Sequence, residues 1–212
     1  MKEEQTKSAG KAKIGGPFTL VDQNGIPVTD AKYRGKFMAI YFGFTNCPDI
    51  CPTELKRLGN VLKQLDTEET GIGKMVQPIF ISIDPMRDTV AQVREYVSGT
   101  YLHPYQLIKT ILEFHPRLVG LTGTPEQVEK VCRAYRVYFS KANAEEEDYL
   151  LDHSIIIYLM DPKGDFVEFY GSLVDEKQML ERMKNQLLKY AKSELGEDEE
   201  DIPVWKKFFG LK

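Results

Sequence analysis

The sequence of 212 residues predicts an α/β fold whose central strands are buried on both faces. Residues 37–44 and 76–83 form nearly continuous apolar and aromatic runs. Such runs are typical of core strands in a parallel sheet that helices cover on both sides. Each run is followed by helix signals, and a chain of this length can enclose a sizeable hydrophobic core in one domain.

The elements around these two strands have clear local signals. Residues 18–28 place the turn Asn24-Gly25 between two short apolar runs, which predicts a small hairpin. Residues 53–65 carry leucines on one helical stripe and predict an amphipathic helix. A second helix is predicted after the strand at 76–83, with Asp88 as its N-cap.

The second half of the chain continues the alternation. Residues 118–121 predict a short strand, and Thr124 followed by Pro125 predicts the cap and first turn of a helix. Residues 154–160 and 166–170 predict a hairpin. A final amphipathic helix follows.

With that last helix at 175–192, the order is hairpin, β, α, β, α, β, α, β, β, α. A parallel core closed by an antiparallel hairpin and a helix is the thioredoxin-like arrangement. The predicted fold is therefore thioredoxin-like, with an N-terminal β-hairpin and a β-hairpin insertion. Functional sites of such open sheets lie at the carboxyl ends of the core strands.

The segments outside this pattern set the predicted domain limits. Residues 16–192 form the domain, and residues 1–15 are a polar, lysine-rich leader that we expect to be disordered. Residues 193–212 form an acidic tail with the only tryptophan, Trp205. Residues 98–112 are mixed in character and fit no element.

Net charge and hydropathy exclude several classes of partner. The net charge of −4 indicates neither nucleic acid nor an anionic membrane surface as a partner. No run approaches the roughly 18 apolar residues that span a bilayer, and the first residues lack the apolar centre of a signal peptide. We expect a protein that is soluble from synthesis, or a chain that lacks its targeting and anchoring segment.

Two of the three cysteines lie in one string, Cys47-Pro48-Asp49-Ile50-Cys51-Pro52, between the first core strand and the next helix. A residue before proline is disfavoured in the α region, so both thiols are expected on a non-helical loop. The helix N-terminus beside Cys51 favours its thiolate form. The pair is therefore predicted to form a disulfide or to bind a metal ion.

Two thiolates suit Cu(I), a soft ion that tolerates few ligands, and a histidine would complete the set. The chain has three histidines. His103 lies in the segment that fits no element, and His115 precedes a proline on an ordinary turn. His153 is expected at the start of the strand 154–160. In a thioredoxin-like fold, the loop before this strand faces the cysteine loop. The neighbouring Asp152 is expected either to orient His153 or to cap the loop.

Five stretches extend the pattern along the chain. They are Tyr41-Phe42-Gly43-Phe44-Thr45-Asn46 leading into the cysteine string, Ile81-Ser82-Ile83-Asp84-Pro85 with Arg87-Asp88-Thr89, Leu118-Val119-Gly120-Leu121-Thr122-Gly123, Tyr135-Arg136-Val137-Tyr138, and Asp148-Tyr149-Leu150-Leu151-Asp152-His153-Ser154. Together they resemble the Sco/SenC family, the copper chaperones of cytochrome c oxidase assembly, and are closest to its mitochondrial members. The resemblance covers residues 15–192.

The resemblance implies that Cys47, Cys51 and His153 bind one copper ion, most stably as Cu(I) and also as Cu(II). It implies that the chain receives copper from an upstream copper donor chaperone and delivers it to the binuclear copper centre of cytochrome c oxidase subunit II. It also implies that the chain changes the thiol–disulfide state of that subunit's cysteines. It also implies a location at the mitochondrial inner membrane, with the domain facing the intermembrane space. Membrane attachment would come only from a segment absent from this chain.

The chain departs from the family pattern in three respects. Family members normally have a transit peptide and one transmembrane helix upstream, and we expect this sequence to be a form without them. In the family, the helix that ends near residue 97 runs almost directly into the match for residues 113–118, so residues 98–112 are expected to be an atypical insertion. Its presence puts His103 and His115 outside the site. The tail has no clear counterpart in the family.

Other functions remain open from the residues alone. A thiol peroxidase needs a threonine three residues before its reactive cysteine, where this chain has Pro48. A thiol–disulfide oxidoreductase would use Cys47 and Cys51 without His153. A copper sensor or interaction module could dock through the acidic residues 145–148. Cys132 is expected to be a core residue of its helix, and no enzymatic turnover is required.

Overall fold

The computed structural model describes residues 14–68, 70–99, 114–142 and 149–195. The strands in these ranges are β1 (Thr19–Asp22), β2 (Pro27–Thr29), β3 (Phe37–Gly43), β4 (Val76–Ser82), β5 (Val119–Thr122), β6 (Phe139–Ala142), β7 (Leu150–His153), β8 (Ile156–Met160) and β9 (Phe166–Gly171). The α-helices are α1 (Ile50–Thr67), α2 (Val90–Val97), α3 (Pro125–Ala134) and α4 (Glu176–Leu195).

Seven strands form one sheet in the order β2-β1-β5-β4-β3-β8-β9. β3 lies at its heart, parallel to β4 and antiparallel to β8, and β4 is parallel to β5. Every residue of β3 is buried, which explains its unbroken apolar sequence. The hairpins β1–β2 and β8–β9 flank this parallel core, so the thioredoxin-like fold predicted from the sequence is confirmed.

The helices cover the sheet through the apolar stripes seen in the sequence. α1 contacts α4, while α2 contacts β5 and α3 contacts β1. The leucines of the α1 stripe are all buried, namely Leu55, Leu58, Leu62 and Leu65. α3 begins with the predicted cap, since the Thr124 side chain accepts a hydrogen bond from the Gln127 backbone N–H and Pro125 is the first helical residue.

The predicted cap of α2 is wrong by one residue. Thr89, not Asp88, is the N-cap, and its hydroxyl accepts a hydrogen bond from the Gln92 backbone N–H. The Asp88 side chain is buried and accepts its hydrogen bonds from other segments. Asp88 therefore does not act as the N-cap that the local sequence predicts, because its carboxylate is hydrogen-bonded to a residue distant in sequence.

β6 and β7 were not predicted. In the described part of the chain they form a two-stranded sheet of their own, in which Phe139 pairs with His153. We call this pair the ribbon. His153 therefore ends β7, whereas the sequence placed it at the start of the following strand, and β8 begins only at Ile156.

Several predicted segments fall wholly or partly outside the described residues: most of the leader 1–15, of the insertion 98–112 and of the tail 193–212, and the acidic residues 145–148. Gly15, assigned to the leader, donates a backbone hydrogen bond to the Ala134 carbonyl, and α4 continues past residue 192. None of the helices within the described ranges has the length and apolar character needed to cross a membrane.

Candidate metal centre

The two motif cysteines lie at the turn from β3 into α1, at the carboxyl end of the central strand. The Cys47 backbone N–H donates to the Phe44 carbonyl, and the Cys51 backbone N–H donates to the Cys47 sulfur at 3.3 Å. Cys47 is 5% exposed and Cys51 is fully buried. Gly43 makes room for the inner sulfur, because a Cβ at this position would stand 2.8 Å from Cys51 Sγ.

The lowered thiol pKa is that of Cys47, whereas the sequence predicted it for Cys51. α1 begins at Ile50, so Cys51 is already helical and its amide points back toward Cys47. Hydrogen bonds from the Cys51 thiol and from backbone N–H groups, including that of Ile50, lower the pKa of Cys47 to about 6, against burial. Burial, together with the nearby Cys47, raises the pKa of Cys51 well above its usual value.

His153 brings an imidazole to this pair from the end of the ribbon. Its Nε2 lies 3.5 Å from Cys51 Sγ, and its Nδ1 lies 3.1 Å from the Ser154 carbonyl oxygen. Because a carbonyl only accepts, Nδ1 carries the proton and the Nε2 lone pair faces the sulfur. Burial lowers the pKa of His153, which favours the neutral ring that metal ions require.

Aromatic side chains enclose the imidazole and one of them contacts the sulfur. The Tyr41 and Phe44 rings stand edge-on to the His153 ring, with centroids 6.1 and 5.9 Å away. The Tyr41 hydroxyl also donates to Cys51 Sγ at 3.6 Å. The apolar run predicts Tyr41 only as a buried strand residue, and its position in β3, two residues before Gly43, is the signal for a role at the site.

A second missed group is the carboxylate of Asp88, which fastens the loop that leads to Cys47. Asp88 Oδ2 accepts from the Thr45 backbone N–H at 3.0 Å, and Oδ1 accepts from the Thr45 hydroxyl at 2.6 Å. The Ser82 hydroxyl donates to Oδ2 at 2.6 Å. Burial raises the pKa of Asp88 to about 6, partly offset by these hydrogen bonds.

The remaining candidates lie elsewhere or have structural partners. His115 Nε2 donates to Asp66, and its Nδ1 accepts from the Arg117 backbone, so both ring nitrogens are used. His103 is outside the described residues. Cys132 is buried in α3, as predicted. Asp152 is exposed, and the Nδ1 hydrogen bond of His153 goes to a backbone carbonyl instead.

The three predicted ligands meet through Cys51, which contacts both Cys47 and His153. As they stand, no group of three or more His, Cys, Asp or Glu side chains among the described residues is arranged to hold a metal ion. The donors themselves fit a soft ion, since they are two sulfurs and a neutral imidazole nitrogen. To bind one copper ion, the three side chains would give up their contacts with one another and direct their donor atoms at the ion.

Comparison with known sequences gives consistent matches. A sequence model described as SCO1/SenC matches residues 6–188. The chain is 46% identical over 185 residues to protein SCO1 homolog 1, mitochondrial, of Arabidopsis thaliana, covering 87% of this chain and 50% of that protein. It is 43% identical over 193 residues to protein SCO1, mitochondrial, of Saccharomyces cerevisiae, covering 90% and 60%. The chain thus spans about half to three fifths of these relatives.

Solved structures agree with the fold. The crystal structure of Arabidopsis thaliana ScoI with copper bound is similar with a TM-score of 0.72 and 45% identity, covering 84% of this chain and 99% of that chain. The crystal structure of yeast Sco1 is similar with a TM-score of 0.72 and 44% identity, covering 84% and 100%.

Proposed function

The chain belongs to the SCO1/SenC family, and from this premise we propose that it is a copper chaperone that binds one copper ion through Cys47, Cys51 and His153. The observation that carries the proposal is the Nε2 lone pair of His153 directed at Cys51 Sγ over 3.5 Å, from 102 residues along the chain. Two thiols and a neutral imidazole nitrogen together are a donor set that suits copper. The copper-bound structure of the Arabidopsis relative supports this proposal.

Each of the three side chains has a distinct part in binding. Cys47, with its lowered pKa, offers a thiolate near neutral pH. Cys51 supplies the second sulfur and releases its proton when the ion binds. His153 supplies Nε2, while its Nδ1–H continues to donate to the Ser154 carbonyl. Two sulfurs and one nitrogen favour Cu(I), and the imidazole also suits Cu(II).

We further propose that copper is the cargo and not a resident cofactor. The chain would receive it from an upstream donor chaperone and deliver it to the binuclear copper centre of cytochrome c oxidase subunit II by ligand exchange with the subunit's thiols. The relatives are mitochondrial proteins by name, and we place this domain at the inner membrane, facing the intermembrane space. Residues 1–15, 98–112 and 193–212 stay predicted as leader, insertion and tail.

The test of the binding site is a Cu(I) titration against a competing chelator. Cys47→Ala and Cys51→Ala should abolish tight binding, and His153→Ala should weaken it by at least about tenfold, the scale of metal-site perturbations. Cys132→Ala is the matched control, because it removes a buried cysteine outside the site. Full affinity in His153→Ala would contradict the copper site.

Delivery has its own test. The copper-loaded chain is mixed with the isolated copper domain of subunit II, and copper is measured on each protein after separation. Transfer should occur with reduced subunit thiols and fail once they are oxidised to a disulfide. Copper that stays on the chain with the reduced acceptor would contradict the proposed recipient.

A second candidate is a thiol–disulfide oxidoreductase acting on the cysteines of the oxidase subunit. The lowered pKa of Cys47 favours it, because thiolate is the attacking species in thiol–disulfide exchange. Rates of exchange with a small disulfide separate the two functions. An oxidoreductase should keep its rate in His153→Ala, whereas copper affinity should fall in the same variant.

A further inference from the structure

The ribbon that carries His153 has different hydrogen bonds at the two ends of β7. At the end near His153, the Ser154 backbone N–H donates to the Tyr138 carbonyl at 3.1 Å, and the Ser154 hydroxyl accepts from the Tyr138 backbone N–H at 3.3 Å. At the other end, immediately before β7, the Tyr149 hydroxyl donates to Asp84 Oδ1 at 2.6 Å. The Ser154–Tyr138 bonds join the two strands of the ribbon to each other, whereas the Tyr149 phenol ties the ribbon to the turn after β4.

The partner of Tyr149 is itself held firmly. Asp84 is 2% exposed, and its Oδ2 accepts from Arg87 Nε at 2.6 Å. The Arg87 guanidinium carbon also lies 3.8 Å from the centroid of the Tyr149 ring. Tyr149 is 7% exposed, so its ring is gripped through a charge-assisted hydrogen bond and a cation–π contact in a mostly dry setting.

This anchor is continuous with the one that holds the cysteine loop. The Ser82 hydroxyl donates to Asp88 and accepts from the Asp84 backbone N–H at 3.0 Å. Asp88 in turn holds Thr45, which precedes Cys47 by two residues. The short turn between β4 and α2 therefore holds both segments that carry the predicted ligands. It holds the cysteine loop through Asp88 and the ribbon through Asp84.

On the premise of the copper site proposed above, we propose that Tyr149 is the positioning residue for His153. Its hydrogen bond to Asp84 fixes the ribbon at the orientation in which His153 Nε2 stands 3.5 Å from Cys51 Sγ. Without it, β7 can swing about its Ser154 end, and the imidazole must be reordered each time copper binds. The contacts of Tyr149 with Asp84 and Arg87 lie outside the ligand set, so its effect on copper should pass through His153.

Tyr149→Phe tests this cleanly, because it removes only the hydroxyl. The ring and its contact with Arg87 stay, and Asp84 keeps its ion pair, so no buried charge is left without a partner. The matched control is Tyr138→Phe, which removes a hydroxyl from a 66% exposed tyrosine beside the same ribbon.

The experiment is a double-mutant cycle on Cu(I) affinity with the parent, Tyr149→Phe, His153→Ala and the double variant. Tyr149→Phe should weaken binding about three- to tenfold in the parent, the effect of one hydrogen bond. It should change nothing when His153 is already absent, and Tyr138→Phe should match the parent. In the metal-free protein, amide hydrogen exchange over β7 should rise in Tyr149→Phe while α1 stays protected.

The outcomes separate the positioning role from the site itself. An equal loss in both backgrounds would mean a general structural effect and would overturn the proposal. The proposal would also be overturned if Tyr149→Phe kept the Cu(I) affinity and the amide hydrogen exchange of the parent while His153→Ala bound Cu(I) weakly. That result would leave the proposed copper site intact. If His153→Ala binds as tightly as the parent, the proposed copper site and the role of Tyr149 fail together.

Discussion

The backbone N–H of Cys51 donates a hydrogen bond to the sulfur of Cys47 across 3.3 Å. Together with the hydrogen bond from the Cys51 thiol and those from neighbouring backbone N–H groups, this contact makes the two cysteines unequal. The first backbone N–H groups of α1 point at the sulfur of Cys47, which precedes the helix. They therefore favour the thiolate form of Cys47 and not that of Cys51, which lies within the helix.

The inequality predicts which cysteine reacts first. When the reduced, metal-free protein is treated with iodoacetamide at pH 7, the label should appear on Cys47, because its pKa is lowered to about 6 and thiolate is the reactive form. Burial raises the pKa of Cys132 to about 12, so that thiol should stay unlabelled. Peptide mass spectrometry over time gives the order, and Cys47→Ser should lose the fast phase. Early label on Cys51 would contradict the assignment.

Asp88 predicts a pH dependence of stability. Burial raises its pKa from 3.8 to about 6, so the folded protein binds this proton more tightly than the unfolded chain. Its contribution is therefore complete below about pH 4 and is lost as pH rises through about 6. Asp88→Asn cannot titrate and should lack this decline, which is on the order of 2 kcal/mol.

Urea unfolding at several pH values between 4 and 7 measures this difference. The free energy of unfolding of the parent should fall relative to that of Asp88→Asn as pH rises. Asp165→Asn, which alters an exposed carboxylate, should follow the parent. Parallel curves for the parent and Asp88→Asn would show that Asp88 has the same pKa in both states.

The Tyr41 hydroxyl predicts a shift in redox potential. It donates to Cys51 Sγ, and a disulfide sulfur is a weaker acceptor than a thiol or thiolate, so this bond stabilises the reduced pair. Tyr41→Phe should lower the midpoint potential of the Cys47–Cys51 couple by about 10–30 mV. Equilibration in glutathione buffers followed by alkylation measures it. Tyr170→Phe, two strands away on β9, is the control, and an unchanged or higher potential in Tyr41→Phe would contradict the prediction.

Gly43 predicts a steric effect on the same sulfur. A Cβ here would stand 2.8 Å from Cys51 Sγ and 2.9 Å from a Tyr41 ring carbon, so Gly43→Ala must displace one of them. We expect a loss of about 1–3 kcal/mol in the free energy of unfolding, together with weaker Cu(I) binding. Gly171→Ala is the matched control in a strand, because its Cβ would meet nothing within 4 Å. Equal stability of the two variants would contradict the crowding.

The fold was predictable wherever burial leaves a local pattern. β3 and β4 are covered on both sides, so their sequences are almost continuously apolar. The leucine stripe of α1 and the cap at Thr124 are equally local signals, and both were found. His153 was identified because the family resemblance and the expected sheet edge agreed.

The misses have a common physical origin in contacts between distant residues. β6 and β7 are short, with mixed polarity, and within the described ranges they pair with each other and with no other strand. Asp88 and Thr89 are both good caps by type, and only the contact with Thr45, 43 residues away, decides between them. The lowered thiol pKa was predicted for the wrong cysteine because α1 begins at Ile50, three residues before the predicted start, and the start of the helix decides which sulfur its amides face.

The full enclosure of Cys51 gives the ligand set an outer and an inner side. Cys47 and His153 keep some exposed surface, whereas Cys51 has none. An incoming thiolate from a partner can therefore approach only from the side of Cys47 and His153. We expect the handover of an ion to have a fixed order, in which the inner sulfur is the last to let go and the first to be engaged on return.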